Sequence, residues 1–461
     1  MMTLDKALST IQMRHDATLH DLMEFAAIPS ISTDPAHHAD VLRAAEFVAA
    51  RLAAAGPFTV RSISHGGNPV IYAEWLSAPG ALTVLVYAHY DVQPPDPLEK
   101  WQTPPFAPAI RNGRLYARGV SDDKGPLLTA IEAARAFFAA GNGLPINLKW
   151  IIEGEEEIGS PNLESFVAEH RELLAADFVL SADGAMWRID GPSLNVSNRG
   201  LVGLELKLTG ASKDLHSGRH GGAVANPLHA MARLISSLHD GEGRVTVRGF
   251  YDRVRELDSG ERAAIARLPF NEEGYLDAIG APTAVGEPGY STLERQWIRP
   301  TLEVNGMWGG YQGPGQKTVI PSEAHAKITC RLVPDQRPEE ILAFVARHLE
   351  SHVPVGTRLT ITLRPHGTAA AHIAADHFAL KAASQALREV YDVDPLLVRM
   401  GGTVPVAEIF KRLMGLDTVY FSFSTADEDF HAPNEFFRIN RLHEGLEAWA
   451  RLWHILGERR G

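Results

Sequence analysis

Cysteine is nearly missing: Cys330 is the single one in 461 residues, which excludes an intrachain disulfide, a multi-thiolate zinc site and an iron–sulfur cluster. Any metal must be held by His, Asp and Glu. Positive charge is short too. Against 44 Lys and Arg stand 56 Asp and Glu, a formal charge of −12, the wrong sign for a phosphate-binding surface, so no nucleic-acid partner is expected. No run approaches the ~18 consecutive apolar residues of a membrane span. The N-terminal MMTLDKALSTIQMRHDATLHDLMEF is broken by charges every few residues and has no apolar core of signal-peptide type. A soluble, cytoplasmic protein without a membrane partner is the expectation.

The remainder is ordinary for a globular chain. Apolar residues make up 45%, charged 22% and aromatic 8%, which excludes disordered, collagen-like and fibrous classes. At roughly 150 residues per domain the length predicts two or three domains.

Residues 3–26 and 38–55 place apolar groups at spacings of three and four, which predicts amphipathic helices, followed by a strand around Pro69–Trp75. Thr83–Ala88, Asn147–Ile152, Phe178–Ser181 and Thr418–Phe423 are short apolar runs of the buried-strand kind, while Lys124–Ala140 and Asp376–Tyr391 read as helices. That alternation predicts an α/β fold with a mostly parallel central sheet. From about Asn198 the pattern changes. LVGLELKLTG, GRVTVRGFY, AHAKITCRLV and TRLTITLRP alternate as half-exposed antiparallel strands do, with helices expected at Pro227–Leu238 and Pro338–Ser351. Residues 198–366 read as an inserted α+β domain, the first domain being 1–197 and 367–461, with Arg364-Pro365-His366-Gly367 as the return point.

Each of the four apolar runs leads into hard metal ligands: His89-Tyr90-Asp91, Glu155-Glu156-Glu157, Asp183 and His431. In open parallel sheets sites lie beyond the carboxyl ends of the strands, so residues hundreds of positions apart can converge there. Ser121-Asp122-Asp123-Lys124-Gly125 directly precedes a helix, where free N–H groups favour a carboxylate. Singly, each element has a plain structural reading: a helix cap, a solvated charge run, a surface histidine. Four strand ends all bearing such groups are hard to explain by packing, because burying them unpaired costs several kcal/mol each. Two divalent cations would offset that cost. Such a site needs a bridging carboxylate, terminal His and carboxylate ligands, and a separate base; imidazole and carboxylate without thiolate allow Zn, Mn or Co. In extended chain, adjacent Glu156 and Glu157 point opposite ways, so one can face metal and the other water.

Together YAHYDVQPP, WQTPPFAPAIRNGRLYARGVSDDKGP, EGEEEIGS, LSADG, DLHSGRHGG, KTVIP with CRLVPD, GGTVPV and FHAPNE make the chain resemble the dinuclear-zinc amidohydrolases and peptidases. That family includes carnosinases, cytosolic nonspecific dipeptidase, aminoacylase, acetylornithine deacetylase, succinyl-diaminopimelate desuccinylase and glutamate-releasing carboxypeptidase. Ser-Asp-Asp-Lys-Gly-Pro and the long insert favour its dipeptidase and carnosinase branch. The resemblance implies a zinc-peptidase-like catalytic domain carrying an inserted lid and dimerisation domain. It implies two divalent ions, Zn first, with His89, Asp122 and Asp183 on one and Asp122, Glu157 and His431 on the other. Asp91 would hold the His89 ring, and Glu156 would be the general base. It further implies a cis peptide at Asp122–Asp123, and His216 stabilising the oxyanion, supplied in dimeric members by the partner's lid. Arg331 would take the substrate's free carboxylate, and Thr318, Gly402 and Thr403 would line the cleft. His220 receives no role.

The implied activity is metal-dependent hydrolysis of dipeptides or short peptides with a free C-terminal carboxylate, by a homodimer. A deacylase of N-acyl amino acids on the same scaffold is the alternative. A two-metal phosphoesterase gains nothing from Arg331, and a non-catalytic binding protein on this scaffold is the remote case. Gly310-Tyr-Gln-Gly313-Pro-Gly315-Gln-Lys317-Thr318 only superficially resembles a phosphate loop, because Gln316 separates the last Gly from Lys317.

Overall fold

In the computed structural model, which describes residues 2–141, 143–364 and 367–459, the four apolar runs become neighbouring strands. Asn147–Glu153, Thr83–His89, Phe178–Ser181 and Thr418–Tyr420 lie side by side, all parallel. Val70–Trp75 and Thr59–Ile63 extend the sheet antiparallel at one edge. The parallel strands are buried along nearly their whole length, which is why their sequences are continuously apolar rather than alternating.

Helices Met2–Ala26, His38–Ala55, Gly125–Ala139, Phe378–Tyr391 and Ile439–Gly457 share one apolar core with this sheet. Gly125–Ala139 is buried on nearly every side, as its all-round apolar sequence requires. It packs against both Met2–Ala26 and Ile439–Gly457, so the turn that precedes it is carried on a rigid element. No helix among the described residues is long and apolar enough to cross a membrane.

The chain divides into two compact units. One is Met1–Val196 with Ile373–Val398 and Ile409–Gly461; the other is Ser197–His372 with Arg399–Glu408. The second unit is built on an antiparallel sheet in the order Thr301–Gly309, Glu323–Leu332, Gly200–Thr209, Arg358–Leu363. Glu323–Leu332 alternates strictly between buried and half-buried positions. Helices Pro227–Ser236 and Pro338–Ser351 pack their apolar stripes with the sheet's buried side chains.

Three features differ from the sequence expectation. GRVTVRGFY is not a strand: its alternation does bury Val245 and Val247, but the backbone bonds locally, Val245 N–H to the Tyr251 hydroxyl at 3.1 Å and Thr246 N–H to Leu238 O at 2.9 Å. The fourth strand is instead Thr301–Gly309, whose exposed, Gly-containing sequence and bulge between Val304 and Gly306 hide the strand pattern. Finally, Arg399–Glu408 folds with the second unit although it lies within 367–461. It is held there by Met400 N–H to Ser197 O at 2.7 Å and Asn198 Nδ2 to Val404 O at 2.9 Å. Pro365 and His366 of the expected return point lie outside the described residues.

Candidate metal centre

The parallel strands deliver the ligand-type residues to one end of the sheet. His89 is the last residue of its strand, Glu156 and Glu157 form a short turn just after Glu153, and Asp183 lies just beyond Ser181. His431 comes from a longer loop in which Asp429, His431 and Asn434 have positive φ of 55°, 58° and 68°. Contacts hold this strained backbone: Arg118 Nη2 donates to Ala432 O at 3.2 Å, and Asn434 bonds Gln102 N–H and Lys100 O, each at 2.9 Å.

Asp122 is the meeting point. Its Oδ1 lies 3.1 Å from His89 Nε2 and its Oδ2 lies 3.0 Å from His431 Nε2. Glu157 Oε2 is 3.3 Å from the same His431 nitrogen. Two ligand groups result, His89–Asp122–Asp183 and Asp122–Glu157–His431, each with its donor atoms within 4.8 Å of one another. The shared residue is the one with both carboxylate oxygens engaged, one toward each histidine. Hard oxygen and imidazole donors in two sets joined by one carboxylate fit a pair of divalent cations.

Buried polar groups hold the ligands in place. Asp91 spans the two sides: its backbone carbonyl is 3.1 Å and its Oδ1 3.4 Å from His89 Nδ1, while its carboxylate accepts Glu156 N–H at 3.2 Å and Glu157 N–H at 3.1 Å. One residue thus orients a histidine ring and the double-Glu turn together. The Asp122–Asp123 peptide is cis. Glu435 accepts the N–H groups of Gly119, Ser121 and Asp122 at 2.9, 2.9 and 3.2 Å, and Arg118 Nη1 at 2.6 Å. Gly119 starts this turn with φ of 76°, and a Cβ there would sit 2.0 Å from Val92 Cγ1, so only glycine fits. Lys124 is fully buried and donates to Ile28 O at 2.6 Å and Phe25 O at 3.1 Å.

So many carboxylates cannot all be charged unaided. Burial, with repulsion from Asp183, Glu157 and Asp122, pushes the Glu156 carboxyl up; burial and Asp122 push up Glu157, and burial outweighs nearby imidazoles to bring Asp183 up to about 7. Asp122 goes the other way: burial alone would raise it, but hydrogen bonds from His431 and His89 hold it well below the carboxylate range. His431 is raised to about 10 by Asp122 and Glu157, and His89 is held high by Asp122 and Asp91 despite its burial. One oxygen of the buried Asp123 carboxylate has no hydrogen-bond partner.

The sequence pattern of Peptidase family M20/M25/M40 matches residues 85–454. The chain belongs to that family. This peptidase is 30% identical to Cys-Gly metallodipeptidase dug1 of Schizosaccharomyces pombe, covering 99% of this chain and 98% of that one. It is 31% identical to human Beta-Ala-His dipeptidase, over 97% and 91%. Among solved structures it superposes on the di-peptidase Dug1p of Saccharomyces cerevisiae with TM-score 0.82 at 28% identity, over 100% of both chains. The M20 family metallo-carboxypeptidase Sso-CP2 of Sulfolobus solfataricus gives 0.84 at 32%, over 96% and 99%. The protein is a metallopeptidase with the M20 fold.

The other predicted residues of the peptidase lie in its second unit, in two groups. His216 and Thr318 meet on a two-residue ribbon: His216 pairs with Val319, and Ser217 N–H donates to Thr318 O at 3.0 Å. Arg331 Nη1 donates to Thr403 Oγ1 at 2.7 Å, with Gly402 adjacent. His220 ends the four-residue helix Ser217–His220 and is exposed.

Sequence reasoning passed over Glu435, Arg118 and Gln93, whose Nε2 donates to Glu157 Oε2 at 2.9 Å. Glu435 and Arg118 stand inside the quoted motifs FHAPNE and RLYARGVSDDKGP, but nothing in one sequence says that residues 317 positions apart form a buried pair. Two outcomes follow. Because imidazole ligands must be neutral to bind a cation, and Asp122 raises the proton affinity of both His89 and His431, loading metal-free enzyme with Zn at pH 7 should release protons, with affinity rising as pH rises toward the His431 value of about 10. Calorimetry in buffers of different ionisation enthalpy reads this, and a buffer-independent heat would contradict it. Glu435→Gln turns an amide N–H₂ toward N–H donors, and should weaken metal retention about 10–100-fold in competition with a chelator.

Proposed function

We propose that the protein is a metal-dependent dipeptidase that also accepts short peptides with a free C-terminal carboxylate. In this reading His89, Asp122 and Asp183 hold one divalent cation and Asp122, Glu157 and His431 the other, Zn first among Zn, Mn and Co. The observation that carries it is the pair of ligand sets joined at Asp122, with Glu156 beside them. The two curated relatives are named as dipeptidases of Cys-Gly and Beta-Ala-His, and the similar structure Sso-CP2 is named a carboxypeptidase. Both name types describe cleavage beside a free C-terminal residue.

When bound, the cations supply Lewis acidity that polarises the scissile carbonyl and acidifies the attacking water. Glu156 takes a proton from that water as the C–O bond forms, and delivers it to the amine nitrogen as the C–N bond breaks. Its carboxylate has no hydrogen-bond partner among the described residues, and its raised proton affinity suits holding a proton between the two steps. Asp91 sets the direction of Glu156 through the Glu156 N–H. His216 is the oxyanion donor, and its tautomer is determined by a neighbour: Nδ1 accepts Gly218 N–H at 3.0 Å, so the neutral ring carries its hydrogen on Nε2, free to donate. Arg331 has no carboxylate partner among the described residues, which leaves its fork for the substrate's carboxylate; Gly402 and Thr403 line the same cleft, and Thr318 enters a cleft together with His216, whose ribbon it shares.

The reading extends to a homodimer through the inserted unit, each active site taking the partner subunit's His216. Support comes from the edge strand Thr301–Gly309, which exposes Val304, Met307 and Trp308, an edge that a second copy would cover. A cytoplasmic location agrees with the single free thiol of Cys330.

Glu156→Gln should lower kcat by about 10²–10⁴ on a panel of dipeptides while two metals per chain remain bound; metal lost along with activity would make Glu156 a ligand. Run on Zn- or Mn-loaded wild type, the same panel with acetyl and succinyl amino acids added should show dipeptides preferred, and the reverse order would make the enzyme a deacylase. Mixing inactive His216→Ala with inactive Glu156→Gln subunits should recover part of the activity, and verified mixed dimers that stay inactive would remove the shared site.

A further inference from the structure

Arg199 was given no role by its sequence context, yet the sheet register places it beside Arg331. It directly precedes the Gly200–Thr209 strand, and Leu201, two residues on, pairs with Arg331, so the two arginines are diagonal neighbours. Neither forms an ion pair with a carboxylate among the described residues. Burial and the charge of Arg331 together lower the Arg199 guanidinium to about 10, partly offset by Glu303. Arg199 Nη1 is buried and unpartnered. Two like charges brought together at half-buried positions repel each other unless an anion lies between them.

The side chain also shapes the loop opposite. Arg199 Nε donates to Gly401 O at 2.9 Å and its backbone N–H to Gly402 O at 3.0 Å. With the Met400–Ser197 and Asn198–Val404 bonds, residues 197–199 thereby hold 400–404 along their length. A Cβ on Gly401 would lie 3.2 Å from Gln296 O and 3.4 Å from Arg199 Nη2, so the loop rests closely on the guanidinium. Thr403, at the end of that loop, receives Arg331 Nη1. The path runs from Arg199 through the loop to the guanidinium that faces substrate.

We propose that Arg199 is a specificity-determining residue: it holds Gly401–Thr403 against Arg331 and adds a second positive charge there, which makes a free substrate carboxylate a requirement. The proposal rests on the reading of Arg331 above. It is tested with Arg199→Met, Arg199→Lys and Arg331→Met, each assayed on one dipeptide and on its C-terminal amide. In Arg199→Met, KM for the dipeptide should rise about 10–100-fold, the scale of one charged hydrogen bond, with kcat nearly unchanged. The amide, which offers no charge, should lose little, so the preference for the free acid falls. Arg199→Lys restores the charge without the bond to Gly401 and should recover part of that preference.

Equal losses on acid and amide, or a fall in kcat at constant KM, would overturn the role and leave Arg199 a packing residue. An intact preference in Arg331→Met would overturn the reading of Arg331 and this proposal with it. An intact preference in Arg199→Met alone overturns only the role of Arg199. Metal content and melting temperature equal to wild type qualify each variant, and Arg199→Gln, which keeps a donor for Gly401 O, carries the same comparison if Arg199→Met does not fold.

Discussion

One carboxylate governs the first unit. Asp122 offers one oxygen to His89 and the other to His431, one from a strand end early in the chain and one from a loop near its far end. For both contacts to exist, the peptide that carries Asp122 must be held against a helix start, and Glu435 does this by accepting three consecutive-turn N–H groups while Arg118 balances its charge. The pair is 1% exposed on each side, so neither partner is dispensable: an unpaired charge at that depth costs several kcal/mol. Asp91 performs the corresponding service for His89 and the double-Glu turn. The ligand cluster is thus the visible surface of a deeper polar layer.

Much of this was legible in the sequence because parallel strands are buried on both faces and read as unbroken apolar runs. Once four such runs are found, the residues just after them are neighbours by topology. His89, Glu157 and Asp183 fall out of that rule. Asp122 was legible through its helix start and His431 through its motif. Glu435 was not, since a carboxylate that accepts backbone N–H groups carries no spacing signature, and its partner is hundreds of residues away.

The second unit was harder to read for a different reason. Alternation reports burial, not backbone pairing, so Val245 and Val247 gave a true signal about the core and a false one about the sheet. Thr301–Gly309 is the converse case, paired in the ladder but exposed on both faces along most of its length, with no alternation to detect. The capture of Arg399–Glu408 depends on hydrogen bonds from Ser197, Asn198 and Arg199, which are invisible to periodicity.

That capture means the second unit is not one contiguous stretch of gene. Its arginine corner is written in two places, around Arg199 and Arg331 and again at Gly401–Thr403, with the helix Phe378–Tyr391 of the other unit encoded between them. A chimaera that swapped only residues 197–372 for those of a relative would join a foreign arginine pair to a native loop. Inheritance of that corner in such a protein is therefore a two-segment trait, and the short second segment lies within the stretch of chain that returns to the first unit.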